Sequence, residues 1–456
     1  MGFQVGEAVE VEVGDVAQGG WCVARPAGSP VVFVRHALPG ERVVARVTEV
    51  TSRFARADAV EILKPSADRV PPPCPSARPG GCGGCDWQHA TLPAQRALKA
   101  AVIGQQLRRL AGVDREVIVE PMPGDEAESE SAKTSLITAR GEPPGLGWRT
   151  RVQFAVREDG VAGLRAHRSH EVIDIGDCPI AHPGIRELGI PRHRWPGVSS
   201  VEAVVGGGEP AERAVIVTPA DPRRPGEPGR GGDGPHRSGE KEQDWARAVA
   251  ADAVLSRAGH RLTPIRGGEH LRQQAAGREW RVSAGTFWQV HPAAADVLTA
   301  AVLAALEPEP GDGVLDLYCG AGLFAGAVAP LVGPGGAVIG VESDSGAVLD
   351  ARHNLREWPW ARVHRGDVAR VLRRGGLSPA RLAIADPPRA GLAREVVDYL
   401  SGPGQARRFA YVSCDPATLA RDLRLLAERG WTLDGLRAFD AFPMTHHVEC
   451  VATVTR

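Results

Sequence analysis

Residues 314–329 read VLDLYCGAGLFAGAVA. Val314–Tyr318 has the short apolar run of a buried strand, Cys319-Gly320-Ala321-Gly322 makes a tight turn, and Leu323 opens a helical stretch. Glycines at such a turn permit close backbone approach by a ligand, and the helix start favours negatively charged groups. On its own the turn suits any nucleotide. The flanking segments narrow the choice. The next strand, AVIGVE, ends in Glu342, where a carboxylate can accept hydrogen bonds from both ribose hydroxyls. Asp367, in VHRGDV, follows a third strand and suits an adenine amine.

Further outward the texture is regular. From about residue 266 to 456, short apolar runs (GVLDLY, AVIGVE, LAIADPP, FAYVSC, ECVATV) alternate with helical stretches such as PAAADVLTAAVLAALE. This predicts an α/β domain with a mostly parallel sheet and helices on both faces. The carboxylate spacing Asp316, Glu342, Asp367 fits a class I, Rossmann-like methyltransferase better than a dehydrogenase. A dehydrogenase loop usually carries a third glycine where Leu323 or Phe324 stands. Gly320 and Gly322 are thus candidate cofactor contacts.

Three further motifs fall at predicted strand ends. AIADPPRAGL (383–392) places Asp386 before two prolines whose locked φ angles make a rigid shelf. YVSCDPATLARDL (411–423) puts Cys414 just before a helix that opens at Asp415-Pro416, a setting expected to lower the thiol pKa and favour the nucleophilic thiolate. FDAFPMTHHVECVATV (439–454) sets Glu449 between Val448 and Cys450, where apolar neighbours should raise its pKa and suit it to proton abstraction. His446 and His447 stand nearby, equally suited to orienting RNA or to simple solvation.

Upstream, residues 1–63 alternate apolar positions around Gly19-Gly20 and Pro39-Gly40 turns, which predicts a small OB-type β-barrel. A Pro-rich, Cys-bearing segment (64–92) follows. LPAQRALKAAVIGQQLRRLAG then reads as a helix with Leu98, Val102, Ile103, Leu107 and Leu110 on one side and Arg96, Lys99, Arg108 and Arg109 largely off it. Residues 93–265 read as mostly β, with strands around Asp159-Gly160. Within it, 121–145 reads as an exposed excursion and 219–243 as disordered.

The eight cysteines are unevenly spaced and favour metal or catalytic roles over disulfides. Cys74, Cys82 and Cys85, joined by the distant Cys178, form a soft-ligand set for an iron–sulfur cluster or zinc. Cys22, Cys319 and Cys450 read as packing residues. A net charge of -1 gives no global nucleic-acid signature, so RNA contact has to come from local patches. No apolar stretch approaches the length of a membrane span and no basic, then apolar, leader opens the chain, so the expectation is a cytoplasmic protein with no obligate protein partner.

Taken together, these motifs resemble the RNA uridine-5 methyltransferases, especially the bacterial 23S ribosomal RNA branch, over nearly the whole chain. The resemblance implies an N-terminal TRAM domain that binds RNA, S-adenosylmethionine as cofactor, and a 4Fe–4S cluster held by Cys74, Cys82, Cys85 and Cys178, with zinc as the alternative. SAGTFWQVHP resembles the family's Phe-x-Gln element, which makes Gln289 a cofactor contact beside Tyr318, Glu342 and Asp386. The cysteine of SCDP, Cys414, becomes the nucleophile and Glu449 of HVE the base. The first cysteine gap is seven residues where five is commoner, and Leu323 stands where relatives often have Asn. The tRNA branch generally lacks both barrel and cysteines, which tilts the substrate toward 23S rRNA. The rival readings are a tRNA uridine-5 methyltransferase, a small-molecule methyltransferase, and a non-catalytic RNA-binding protein.

Overall fold

The Gly-rich turn lies at the centre of an eight-stranded sheet. The computed structural model describes residues 3–126, 141–220 and 244–456. The segment read as disordered, 219–243, lies outside the described residues except for its first two positions. The middle of the 121–145 excursion lies outside them as well.

The sheet order, by strand, is Ala361–Arg365, Ala337–Glu342, Gly313–Leu317, Leu382–Ala385, Arg408–Ser413, Glu449–Thr455, Thr432–Phe439 and Val119–Glu120. The first five pair in parallel, and Glu449–Thr455 runs antiparallel to both its neighbours. Chain order reverses between Gly313–Leu317 and Leu382–Ala385. A crevice opens there at the carboxyl ends of the strands, where α/β sheets bind ligands. The central strands are buried on both faces, as their unbroken apolar runs require. One face packs on helices Ala294–Leu306, Leu323–Val332 and Ser345–Asn354. The other packs on Val368–Arg374, Arg394–Ser401, Pro416–Ala427 and the upstream helix Leu92–Gln106. The α/β class I architecture is therefore present.

At the N-terminus six strands form one curled sheet in the order Ala8–Glu12, Arg42–Val50, Phe54–Lys64, Val31–Arg35, Trp21–Ala24, Val16–Ala17. Its core is Val11, Val32, Val34, Val43, Ala45, Val47 and Cys22, while Val5 is exposed and precedes the first strand. A seven-stranded sheet spans Arg151 to Arg266, and a hairpin of His270–Ala275 and Arg278–Ser283 leads into the C-terminal sheet.

The helix Leu92–Gln106 departs from its predicted pattern at one position. Lys99 is fully buried and pairs with Asp440, and its Nζ also donates to the Phe442 carbonyl at 3.0 Å. A charge is retained there because a charge of opposite sign and a carbonyl meet it. On the same helix Gln95 accepts from the Met444 backbone N–H at 2.7 Å. Both contacts clamp the 440–448 loop that leads into Glu449. Lys99→Ala would strand the Asp440 carboxylate, with an expected loss of about 3–5 kcal/mol, read as a lowered Tm in thermal unfolding.

No described helix is long and apolar enough to cross a membrane.

Candidate active site

Strand register decides which side chains meet. Ser413 pairs with Cys450 across the antiparallel ladder between Arg408–Ser413 and Glu449–Thr455. The ladder ends with that pair; Cys414 and Glu449 are the next residues beyond it, and the Glu449 carboxylate acts on the Cys414 thiol. The neighbouring parallel strand Leu382–Ala385 brings Asp386 to the same edge. These three residues and Arg389 line one cleft of about 900 Å³.

The same cleft runs over the Gly-rich turn, where Tyr318, Gly320 and Glu342 line it. Tyr318 has φ 65°, Gly320 54° and Gly322 89°, so left-handed positions alternate with Cys319 and Ala321 along the turn. Cys319 packs beneath it. A Cβ on Gly340 would come within 2.9 Å of the Cys319 sulfur, so that strand position tolerates no side chain. Glu342 accepts from the backbone N–H of Gly320 at 3.0 Å and of Asp344 at 2.7 Å, which ties the second strand end to the turn.

Gln289 reaches the cleft from the loop after the hairpin. Two anchors hold that loop. Buried Asp350 accepts from Ser283 N–H at 2.8 Å and Thr286 Oγ1 at 2.9 Å, and the Val290 carbonyl accepts from Thr150 N–H and Oγ1, each at 2.9 Å. Between the anchors, Phe287 is 63% exposed at the cleft wall.

Two of the predicted residues stand apart from the lining. Gly322 forms the N-cap of Leu323–Val332, and a Cβ there would crowd Ala351 at 3.3 Å. Asp367 is exposed and caps the helix Val368–Arg374, accepting from Arg370 N–H at 2.9 Å.

Family models match residues 2–60 as a TRAM domain and residues 380–456 as a tRNA (uracil-5-)-methyltransferase. An RNA methyltransferase from Streptomyces coelicolor is 51% identical over 98% of this chain and 93% of its own. A 23S rRNA (uracil(1939)-C(5))-methyltransferase from Acidithiobacillus ferrooxidans is 32% identical over 95% of this chain and 94% of its own. The chain belongs to the RNA uracil-5 methyltransferases. The solved structure of a Pyrococcus abyssi tRNA (uracil-54, C5)-methyltransferase with S-adenosyl-L-homocysteine has the same fold, with a TM-score of 0.68 at 22% identity over 98% of this chain and 100% of that one.

The electrostatics of the methyltransferase site correct one expectation. The helix that follows Cys414 predicts an acidified thiol. Instead, burial pushes that thiol up to about 12, and the Glu449, Asp386 and Asp415 carboxylates add to the rise while Arg389 opposes it. A helix terminus offers about half a charge, too little against enclosure and three nearby acids. Burial likewise holds Glu449 well above the usual carboxylate range, with Asp386 adding to the rise and Arg389 opposing it. Burial brings Asp386 to about 7.

Arg389, which carries no motif of its own in the sequence, is thus the cation acting on both Cys414 and Glu449. It also lies 3.3 Å from His447 Nε2. The His447 ring lies 4.1 Å from that of His446 and is tilted 43° to it, and His446 Nδ1 is 2.6 Å from buried Asp86. The signal in the sequence was position alone, directly after the Asp-Pro-Pro shelf.

The four cysteines Cys74, Cys82, Cys85 and Cys178 converge although the third and fourth are 93 positions apart in the chain. Burial raises the Cys82, Cys85 and Cys178 thiols, and neighbouring cysteines raise them further: Cys74 acts on Cys82, Cys178 and Cys82 on Cys85, Cys82 and Cys74 on Cys178. Glycine makes the approach possible. A Cβ on Gly83 would lie 2.5 Å from the His167 backbone, and one on Gly81 would lie 2.2 Å from the Ser76 carbonyl. As they stand, no group of three or more His, Cys, Asp or Glu among the described residues is drawn into metal-holding geometry. The donor set, four partly buried thiols with Arg149 acting on Cys82 and Cys178, nevertheless matches the chemistry of a thiolate-held cluster. Cys22, Cys319 and Cys450 are buried packing residues.

Proposed function

We propose that this methyltransferase methylates C5 of a uridine in 23S rRNA through a transient bond between Cys414 and C6 of the base. The observation that carries the reading is that Cys414 and Glu449 line one cleft beside Asp386 and Arg389, with the Glu449 carboxylate acting on the Cys414 thiol.

Uracil C5 is a weak nucleophile, and covalent addition at C6 divides one hard step into easier ones. The Cys414 thiol gives up its proton to solvent, the resulting thiolate bonds to C6, and the ring π electrons move toward C5 and O4. S-adenosylmethionine, when bound, supplies an electrophilic methyl on a sulfonium. Gln289, Tyr318, Gly320 and Glu342 form the wall that holds the donor, with Gly322 shaping the turn; Asp367, at the helix start beyond the third strand, would meet the adenine amine from outside that wall. Asp386, titrating near neutrality, can donate a hydrogen bond where negative charge gathers on O4. After C5 has taken the methyl, Glu449 removes the C5 proton, the electrons of that bond restore the C5–C6 double bond, and the sulfur leaves. The base has to be splayed from its stack to enter a cleft this enclosed.

Arg389 favours the ionised forms of both Cys414 and Glu449. Activity therefore rises with pH as these groups lose protons. Arg389→Gln is expected to move the rise in kcat/KM to higher pH by roughly one unit, measured as methyl incorporation across pH 6–9.

We further infer that Cys74, Cys82, Cys85 and Cys178 hold a 4Fe–4S cluster. Protein purified without oxygen should carry iron and acid-labile sulfide, and Cys85→Ser should lose most of both. Bound zinc in place of iron would refute the assignment.

The substrate is tested by mapping 5-methyluridine in ribosomal and transfer RNA from cells with and without the gene. Loss of a single 23S rRNA site is expected. Loss confined to tRNA would transfer the same chemistry to the other substrate.

A further inference from the structure

The N-terminal sheet touches the nucleophile's own loop. Its turn Gln18-Gly19-Gly20 joins the strands Val16–Ala17 and Trp21–Ala24, and both glycines have left-handed φ angles of 89° and 80°. Gln18 Nε2 donates to Asp415 Oδ2 at 3.0 Å across 397 residues of chain. Asp415 directly follows Cys414. Its other oxygen, Oδ1, accepts from Thr418 N–H at 2.8 Å and caps the helix Pro416–Ala427. One carboxylate thus spans the helix and the turn.

The seat is tight. A Cβ on Gly20 would fall 2.9 Å from Asp86 Cβ and 3.1 Å from His446 Cβ, and the Gly20 carbonyl accepts from Trp87 Nε1 at 3.2 Å. The turn also walls a small cavity of about 70 Å³ whose other side is Cys414, Asp415, Arg389 and His447. Gln18 Oε1 is buried there and has no hydrogen-bond partner among the described residues. A side chain chosen for packing alone would not carry an unsatisfied amide oxygen into this position, since leaving it unpaired is costly. The cost is offset if the amide's donor end has a task.

We propose that Gln18 is a positioning residue for catalysis, holding Asp415 so that the Ser413–Cys414–Asp415 loop presents its sulfur to the base. The N-terminal sheet is then part of the reaction site as well as an RNA-binding module. Without the Gln18 amide, Asp415 keeps its helix cap but loses its outer tether, and the sulfur loses its fixed line of approach. Small displacements of a reacting atom are costly to rate. This inference rests on the reading of Cys414 as the nucleophile.

The test uses the full chain with Gln18→Ala, Gln18→Glu, and Gln18→Glu combined with Asp415→Asn. Gln18→Ala should lower kcat about tenfold, the worth of one hydrogen bond to a charged group, with KM for RNA and donor affinity unchanged. Gln18→Glu sets two carboxylates together and should lower kcat further. The double variant rebuilds the bond with donor and acceptor exchanged. Its amide at position 415 donates to its carboxylate at position 18 and still caps the helix, so most of the lost kcat should return. Unchanged kcat in Gln18→Ala, a loss confined to KM, or failure of the double variant to recover would each overturn the proposal. Should Gln18→Ala not fold, comparison of Gln18→Glu with the double variant decides alone. Wild-type protein assayed with 5-fluorouridine RNA keeps the two readings apart. No adduct there ends the nucleophile reading, whereas an adduct with indifferent Gln18 variants ends only this one.

Discussion

Cys414→Ala is expected to abolish methyl transfer, with kcat falling by a factor on the order of 10⁴ or more, while S-adenosylmethionine affinity stays near that of the wild type. The reason for the separation is spatial. Donor-side groups Gln289, Tyr318, Gly320 and Glu342 line the part of the cleft over the Gly-rich turn, and Cys414 enters from the end of a different strand. Truncating the sulfur leaves the turn and its Glu342–Gly320 tether intact. Cys414 is half-buried and outside the main packing clusters, so the substitution should leave Tm close to the wild-type value. The check is filter-bound methyl incorporation beside calorimetric titration of the donor. Parallel loss of binding would mean that the residue supports the pocket and performs no chemistry.

Glu449→Gln carries the second large effect. Release of product requires the C5 proton to leave, and Glu449 is the buried carboxylate that shares the cleft with the sulfur and acts on it. An amide of the same shape cannot take that proton. Turnover is expected to fall by about 10²–10⁴, with addition to C6 and methyl transfer still possible. The variant should therefore accumulate as a protein–RNA conjugate that survives denaturation, seen as a band of retarded mobility on a denaturing gel. A variant equally slow but with no conjugate would place Glu449 before the covalent step.

Much of this site was legible in the sequence because its motifs sit at strand ends, and strand ends of a parallel sheet share one edge. The Gly-rich turn, Asp386 and Cys414 each follow a mostly apolar strand of four to six residues, Glu449 opens another, and the sheet gathers them at one edge. What the sequence withheld depends on contacts between distant segments. Lys99 has the local pattern of a solvated face residue, and its burial is set by Asp440, 341 positions away. The Cys414 thiol has an acidifying helix in its own sequence, but two of the acids that override it, Glu449 and Asp386, arrive on other strands. Arg389 is one arginine among many, distinguished by acting on both Cys414 and Glu449 once the sheet is formed. Gln18 has no local motif at all. The role of Asp367 also looked different in one dimension, since its carboxylate first satisfies a helix start.

The central claim is a covalent bond between one sulfur and one carbon, and it can be weighed directly. RNA carrying 5-fluorouridine at the target presents a C5 that has no proton for Glu449 to remove, so the bond to sulfur cannot be released. Mass spectrometry of the proteolysed complex should find the fluorinated, methylated nucleotide on the peptide bearing Cys414 and on no other cysteine. A nucleotide attached elsewhere, or complete methyl transfer chemistry on natural RNA with no adduct on the fluorinated one, would contradict the account.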